Sequence, residues 1–135
     1  MMYTVETVYL GELRTKAIHV NSGTELITDA PIDNKGKGEK FSPTDLVATA
    51  LGSCMMTIIA QSSDAHNFDV VGTQLKITKI MSSNPRKISE IIVEFDFPKN
   101  NYTDKQKQFI EHAAKTCPVA LSLDPNLKQT LVFNY

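Results

Sequence analysis

Between Leu46 and Ser63 the chain runs through 18 positions without a charged side chain. No other feature restricts the fold so strongly. A helix of about 20 apolar residues can cross a bilayer, so this segment is either a membrane helix or one enclosed by protein. Thr49, Ser53, Thr57, Gln61, Ser62 and Ser63 interrupt the run, and Gly52 sits near its middle. The chain as a whole has a mean hydropathy of -0.18. These features favour a soluble helix surrounded by protein, with no membrane partner. Leu46, Val47, Ala50, Leu51, Met55, Met56, Ile58 and Ile59 occupy most of its circumference. A helix apolar nearly all round has to be covered on every side. A monomer of 135 residues has little material for that. A second copy supplying one wall is the economical solution, which points to an obligate homodimer.

The start of this helix is written in Ser42-Pro43-Thr44-Asp45. Ser42 can cap, Pro43 suits the first helical position, and Asp45 stands where a reciprocal capping partner belongs. The helix is predicted to reach about Ala65. Before it, residues 3–10 and 13–20 read as β-strands with a tight turn at Gly11-Glu12. Asn21-Ser22-Gly23 is a second turn, followed by a short strand from Glu25 to Thr28 and a polar loop. After it, residues 70–81 and 88–97 form two strands joined at Ser82-Ser83-Asn84-Pro85. Alternation in the second places Ile91, Val93, Phe95 and Phe97 on the core side. A helix capped by Thr103 and Gln106 buries Phe109, Ile110, Ala113 and Ala114 and stops at Cys117, before Pro118. A short helix from Pro118 to about Leu123 and a strand from Lys128 to Tyr135 complete an α+β order, read as a single domain over residues 1–135.

The formal net charge is -1 and no basic patch stands out, which argues against nucleic acid as a partner. The N-terminus, MMYTVETVYL, has no basic region followed by an apolar stretch, so a cytoplasmic location is expected. In that compartment two cysteines are normally thiols, and any disulfide is transient. Cys54, mid-helix, shares a face with Val47, Ala50, Leu51 and Ile58, and nothing local favours its thiolate. Taken alone it reads as a small buried hydrophobe. Cys117 precedes a helix start, where free N–H groups lower a thiol pKa, so local sequence makes it the more acidic of the two. The arginines are Arg14, in the second strand, and Arg86, beside a turn. His19, His66 and His112 show no metal-ligand spacing with the cysteines, and no metal is expected.

Taken together, two segments resemble the OsmC/Ohr family, the osmotically inducible and organic hydroperoxide resistance proteins. Phe41 to Cys54, FSPTDLVATALGSC, looks like its first signature, and Cys117 to Leu123, CPVALSL, like its second. The cysteines stand 63 positions apart, which suits that family. The resemblance covers essentially the whole chain. It implies an intertwined homodimer with long central helices wrapped by antiparallel sheets. It also implies a peroxidase that reduces organic hydroperoxides without a cofactor, drawing electrons from an external dithiol. By family role Cys54 is the peroxidatic nucleophile, Cys117 the resolving thiol, and Arg14 the cation that stabilises the thiolate. The hydroperoxide-resistance branch has a glutamate directly after the motif proline, paired with the arginine. Here that position is Thr44, and the acid is Asp45, rotated by about 100° on a helix. Asp45 is therefore read first as a cap, with Thr44 and Asp45 as supporting residues, and the pattern fits a third, less characterised branch. The alternatives are a thiol redox sensor and a non-enzymatic dimer that binds a small apolar ligand. A peroxidase requires the two cysteine Cα atoms within about 7 Å and a cation beside Cys54.

Overall fold

The computed structural model describes residues 2–135. The chain divides into two compact units, Met1–Leu46 and Val47–Tyr135.

The first unit is an antiparallel sheet of β1 (Val5–Gly11), β2 (Arg14–His19) and β3 (Glu25–Asp29), in that spatial order. The turn between β1 and β2 uses Glu12 and Leu13, with φ of 54° and 62°. This is the left-handed pair whose twist suits a two-residue hairpin. The Tyr9 hydroxyl accepts from the Leu13 amide at 3.2 Å, and the Leu13 carbonyl accepts from the Ala30 amide at 3.0 Å. Both contacts hold a leucine where few side chains are comfortable. After β3 the chain makes a 3₁₀ turn at Ile32–Asn34 and returns to pair the Asp29 amide with the Phe41 carbonyl at 3.0 Å. The interior of this unit is polar: its buried residues are Thr28, Asp29 and Ser42, while Val5, Val8, Tyr9, Leu10 and Leu13 stay exposed.

The long helix α1 runs over Pro43–Ala65, as the cap and apolar run predict. By length and composition it could cross a bilayer. It lays Leu51, Met55 and Ile59, each 0% exposed, into the core of the second unit. The rest of its circumference is less covered: Val47, Cys54, Met56 and Ile58 are half-buried and Ala50 is exposed. The second sheet contains β4 (Gln74–Ser82), β5 (Lys87–Asp96) and β6 (Lys128–Asn134). β4 and β5 are antiparallel, and β6 joins β5 in parallel. A parallel neighbour needs a crossover, and α2 (Asp104–Lys115) with α3 (Pro118–Ser122) provides it. The sheets are thus antiparallel everywhere except at β6.

The expected core face of β5 is the one observed, with Ile91, Val93 and Phe95 fully buried and Phe97 nearly so. They meet Ile110 and Ala114 of α2. Thr103 and Gln106 form the reciprocal capping box at the start of α2, at 3.0 and 3.1 Å. Phe109, expected in the core, is half-buried and instead stacks on the His66 ring with centroids 3.6 Å apart. α2 ends at Lys115, two residues short of Cys117, so that Cys117 is free to cap α3.

Candidate redox site

Within the second unit the fold brings Cys54 and Cys117 together. Cys54 is carried by the fourth turn of α1, and its neighbour three positions earlier, Leu51, is locked in the core. Gly52 lies where α1 presses on β4: a methyl group there would run into Ile77 and lie 3.4 Å from Leu75. This close approach fixes the height and rotation of α1 at the level of Cys54. Cys117 is placed from the other side. Its backbone is extended, Pro118 starts α3, and its sulfur accepts from the Ala120 amide at 3.3 Å. The thiol thereby fills the N-cap role that a serine or threonine hydroxyl usually has.

Cys117 is fully buried and Cys54 half-buried, and the structure holds both as free thiols. Burial pushes the Cys117 thiol up. The amides of Ala120 and Val119 pull it down, but the Cys54 sulfur, a hydrogen-bonding neighbour, raises it further. The lowering expected from the amides at the start of α3 is thus outweighed at Cys117. A five-residue helix offers a few amide dipoles, and they do not offset the desolvation of a charge in a closed core. Cys117 is a proton-retaining thiol held against its partner.

Thr44 and Asp45 sit at the start of α1. The Asp45 amide donates to the Ser42 hydroxyl at 3.0 Å, and the Ser42 amide donates back to the Asp45 carboxylate at 2.9 Å. Thr44 and Ser42 hydroxyls are 3.2 Å apart. The capping role read for Asp45 is the one seen.

Arg14 belongs to the first unit and is not a solvent-facing charge. Its side chain is 24% exposed. Nε donates to one oxygen of Asp29 at 2.7 Å and Nη2 to the other at 2.8 Å, and Nη2 also reaches Glu39 at 3.1 Å. Asp29 is 0% exposed and further accepts from the Glu39 amide at 3.2 Å. The Arg14 hydrogen bond holds the Asp29 carboxyl below its usual range against the cost of burial, and the amides of Glu39 and Lys40 assist. The same bond raises the pKa of Arg14. The motif at Thr44-Asp45 does not supply the arginine's acid, and neither Asp29 nor Glu39 is marked by a local sequence signal. The missed signal is register: a turn centred on Asn21-Ser22 places Arg14 opposite Asp29, and they are direct cross-strand partners.

Residues 36–132 match the family described as OsmC-like protein. A candidate osmotic stress induced and detoxification response protein from Psychrobacter arcticus 273-4 is 45% identical, with a TM-score of 0.94 over 99% of this chain and 97% of that one. The organic hydroperoxide resistance protein OsmC from Legionella pneumophila is 14% identical, with a TM-score of 0.79 over 100% and 99% of the two chains. A candidate organic hydroperoxide resistance protein from Vibrio cholerae, with captopril in one of its active sites, is 14% identical, with a TM-score of 0.76 over 99% and 93%. At these lower identities the likeness is one of fold. Among the curated proteins, none matches this sequence.

Proposed function

The chain belongs to the OsmC-like family, and from that premise we propose that it is a thiol peroxidase reducing organic hydroperoxides to alcohols. Relatives of its fold from Legionella pneumophila and Vibrio cholerae bear the name organic hydroperoxide resistance protein. The observation that carries the reading is the pairing of two free cysteines, remote in sequence, one fully buried and proton-retaining, the other half-buried.

In this reading the Cys54 thiolate attacks the outer oxygen of the hydroperoxide. The O–O bond breaks, sulfur is oxidised to sulfenic acid, and the alkoxide leaves as alcohol after taking a proton. The Cys117 sulfur then attacks the sulfenic sulfur, its proton leaves with the hydroxyl as water, and a Cys54–Cys117 disulfide forms. An external dithiol reduces that disulfide by exchange and is itself oxidised to a disulfide. Arg14 is the cation assigned to the thiolate. No resident cofactor takes part in the cycle.

A homodimer belongs to the same proposal. The exposed Val5, Val8, Tyr9 and Leu10 of β1 and the uncovered side of α1 are apolar surface that a second copy would bury. A cytoplasmic setting is proposed with it, since thiols are kept reduced there.

The test is turnover of cumene hydroperoxide with dithiothreitol, compared with hydrogen peroxide, in wild type, Cys54→Ser and Cys117→Ser. Wild type is expected to turn over and to prefer the organic peroxide. Cys54→Ser should lose the activity, and Cys117→Ser should stall as a sulfenic acid that dimedone traps. A fully active Cys54→Ser overturns the assignment. Oxidation without turnover makes the protein a sensor.

A further inference from the structure

We infer that Gln129, near the start of β6, is the positioning residue for Cys117: its side-chain amide holds α3 so that the Ala120 N–H stays on the resolving sulfur. This rests on the resolving role proposed above for Cys117 and adds to it a residue outside both cysteine segments.

Gln129 breaks the pattern of its strand. Alternation puts it on one face of β6 with Leu131 and Phe133, and both of those pack against the core. A polar side chain on such a face needs a hydrogen-bond partner. Gln129 is half-buried, and its Nε2 donates to the Ala120 carbonyl at 3.1 Å. Its backbone is set by the parallel ladder, where it stands opposite the fully buried Ile91 of β5. The bond therefore ties α3 to a fixed point of the sheet.

α3 needs such a tie. It has five residues, too few to hold a helix by themselves, and most of its carbonyls find no partner inside so short an element. Ser122 Oγ donates to the Pro118 carbonyl at 2.7 Å, which supports the shape of α3 from within. Gln129 reaches Ala120 from outside and fixes where α3 sits. Ala120 is also the residue whose amide donates to the Cys117 sulfur at 3.3 Å. One residue thus takes the glutamine on its carbonyl and gives its N–H to the thiol. In the resolving step the Cys117 sulfur attacks the Cys54 sulfenic sulfur. The S–S bond forms, the S–O bond breaks, and the hydroxyl leaves with the Cys117 proton as water. Cys117 is oxidised as the sulfenic sulfur is reduced. Negative charge develops on the Cys117 sulfur as its proton departs, and an amide already aimed at that sulfur stabilises it. The earlier attack of Cys54 on the peroxide uses neither α3 nor this amide.

The test compares wild type, Gln129→Met and Gln129→Glu. Methionine keeps the length and the apolar stem but has no donor. Glutamate keeps the shape and sets a carboxylate against the Ala120 carbonyl. Stopped-flow with cumene hydroperoxide separates oxidation of Cys54, whose rate rises with peroxide, from disulfide formation, whose rate does not. Thermal unfolding is recorded beside it. Both variants are expected to keep the first phase within about twofold of wild type and to slow the second about tenfold, as misplacement of a reacting group does. Dimedone should then trap more sulfenic acid. The inference is overturned if the second phase of Gln129→Met stays within about twofold of wild type, or if both phases slow in proportion, as a general loosening of the fold would make them. Should Gln129→Met fail to fold, Gln129→Glu decides by the same criteria. Diamide, which takes up two electrons and two protons as the thiols join, closes the disulfide without peroxide chemistry. A wild type inert to the peroxide but closed by diamide removes the peroxidase reading alone, and the diamide rates of the variants then decide this inference. An active wild type with an unaffected Gln129→Met removes this inference alone, and a wild type that forms no disulfide with either oxidant removes both.

Discussion

The backbone amide of Ala120 donates to the sulfur of Cys117 at 3.3 Å. The sulfur also faces Cys54 and has no exposure to solvent. A thiol in that position is a poor nucleophile toward external reagents, since the thiolate reacts and burial disfavours it. Limiting iodoacetamide on the reduced native protein at neutral pH should therefore modify Cys54 before Cys117. Peptide mass mapping along a time course checks the order. In concentrated urea the preference should vanish, and a native preference for Cys117 would reverse the assignment of roles.

The raised Cys117 pKa makes a prediction about alkaline stability. A thiol that holds its proton more tightly when folded contributes stability present in full below the unfolded value, about 8.5. That contribution is lost as pH rises through the folded value. Tyr102 and Tyr135 are also raised by burial, with Glu111 adding to the second. Their loss begins only from about pH 10. Urea midpoints between about pH 8.5 and 10 thus isolate the cysteine. Wild type should lose stability across that window, and Cys117→Ser should be flatter.

Asp29 acts at the other end of the scale with the opposite sign. Its folded pKa is depressed, so the unfolded chain binds the proton more readily and stability rises with pH. The contribution is present above about pH 4 and is lost as pH falls through the folded value. Asp29→Asn should be less stable than wild type at pH 7 and lose less on acidification. Glu12, also lowered by Lys37, is exposed and adds little. Denaturant titrations from pH 7 to pH 3 check the expected convergence of the two proteins.

The elements were legible where one local rule spoke without competition. Ser42 and Thr103 announce their helices because a cap, a first-turn residue and a reciprocal partner coincide within four positions. Phe95, and Phe97 just past the strand end, fall on the core side because β5 alternates from Glu90 onward. The first strand of that sheet, β4, begins at Gln74 rather than residue 70, because Val70 is buried in a turn that its carbonyl closes with Thr73. The parallel placement of β6 is non-local and no short pattern encodes it. The same limit applies to the site. The two cysteines could be singled out through their motifs. The raised pKa of Cys117 could not, since its burial depends on how α1, α2 and α3 close over it. Asp29 was hidden for a related reason: an acid at a strand end looks like a solvent-facing residue until the β2–β3 register is counted.

Gly52 tests the close approach that fixes Cys54. Its Cβ position coincides with the Ile77 side chain and lies 3.4 Å from Leu75. Alanine at this site gains about 1 kcal/mol of helix propensity. It must displace the tip of the half-buried Ile77 side chain and ease its Cγ1, 3.1 Å away, so Gly52→Ala should lie within about 1 kcal/mol of wild type. Valine adds two branches to the same crowded space and forces α1 away from β4, at a cost of about 1–3 kcal/mol. The shift matters for chemistry because Cys54 is two positions along the same helix, whereas Cys117 is anchored independently through Ala120. Gly52→Val should therefore lower the urea midpoint and also slow disulfide formation between Cys54 and Cys117 under diamide. Gly52→Ala should leave that rate close to wild type. If valine lowers stability without touching the rate, the contact supports the fold but does not set the position of Cys54.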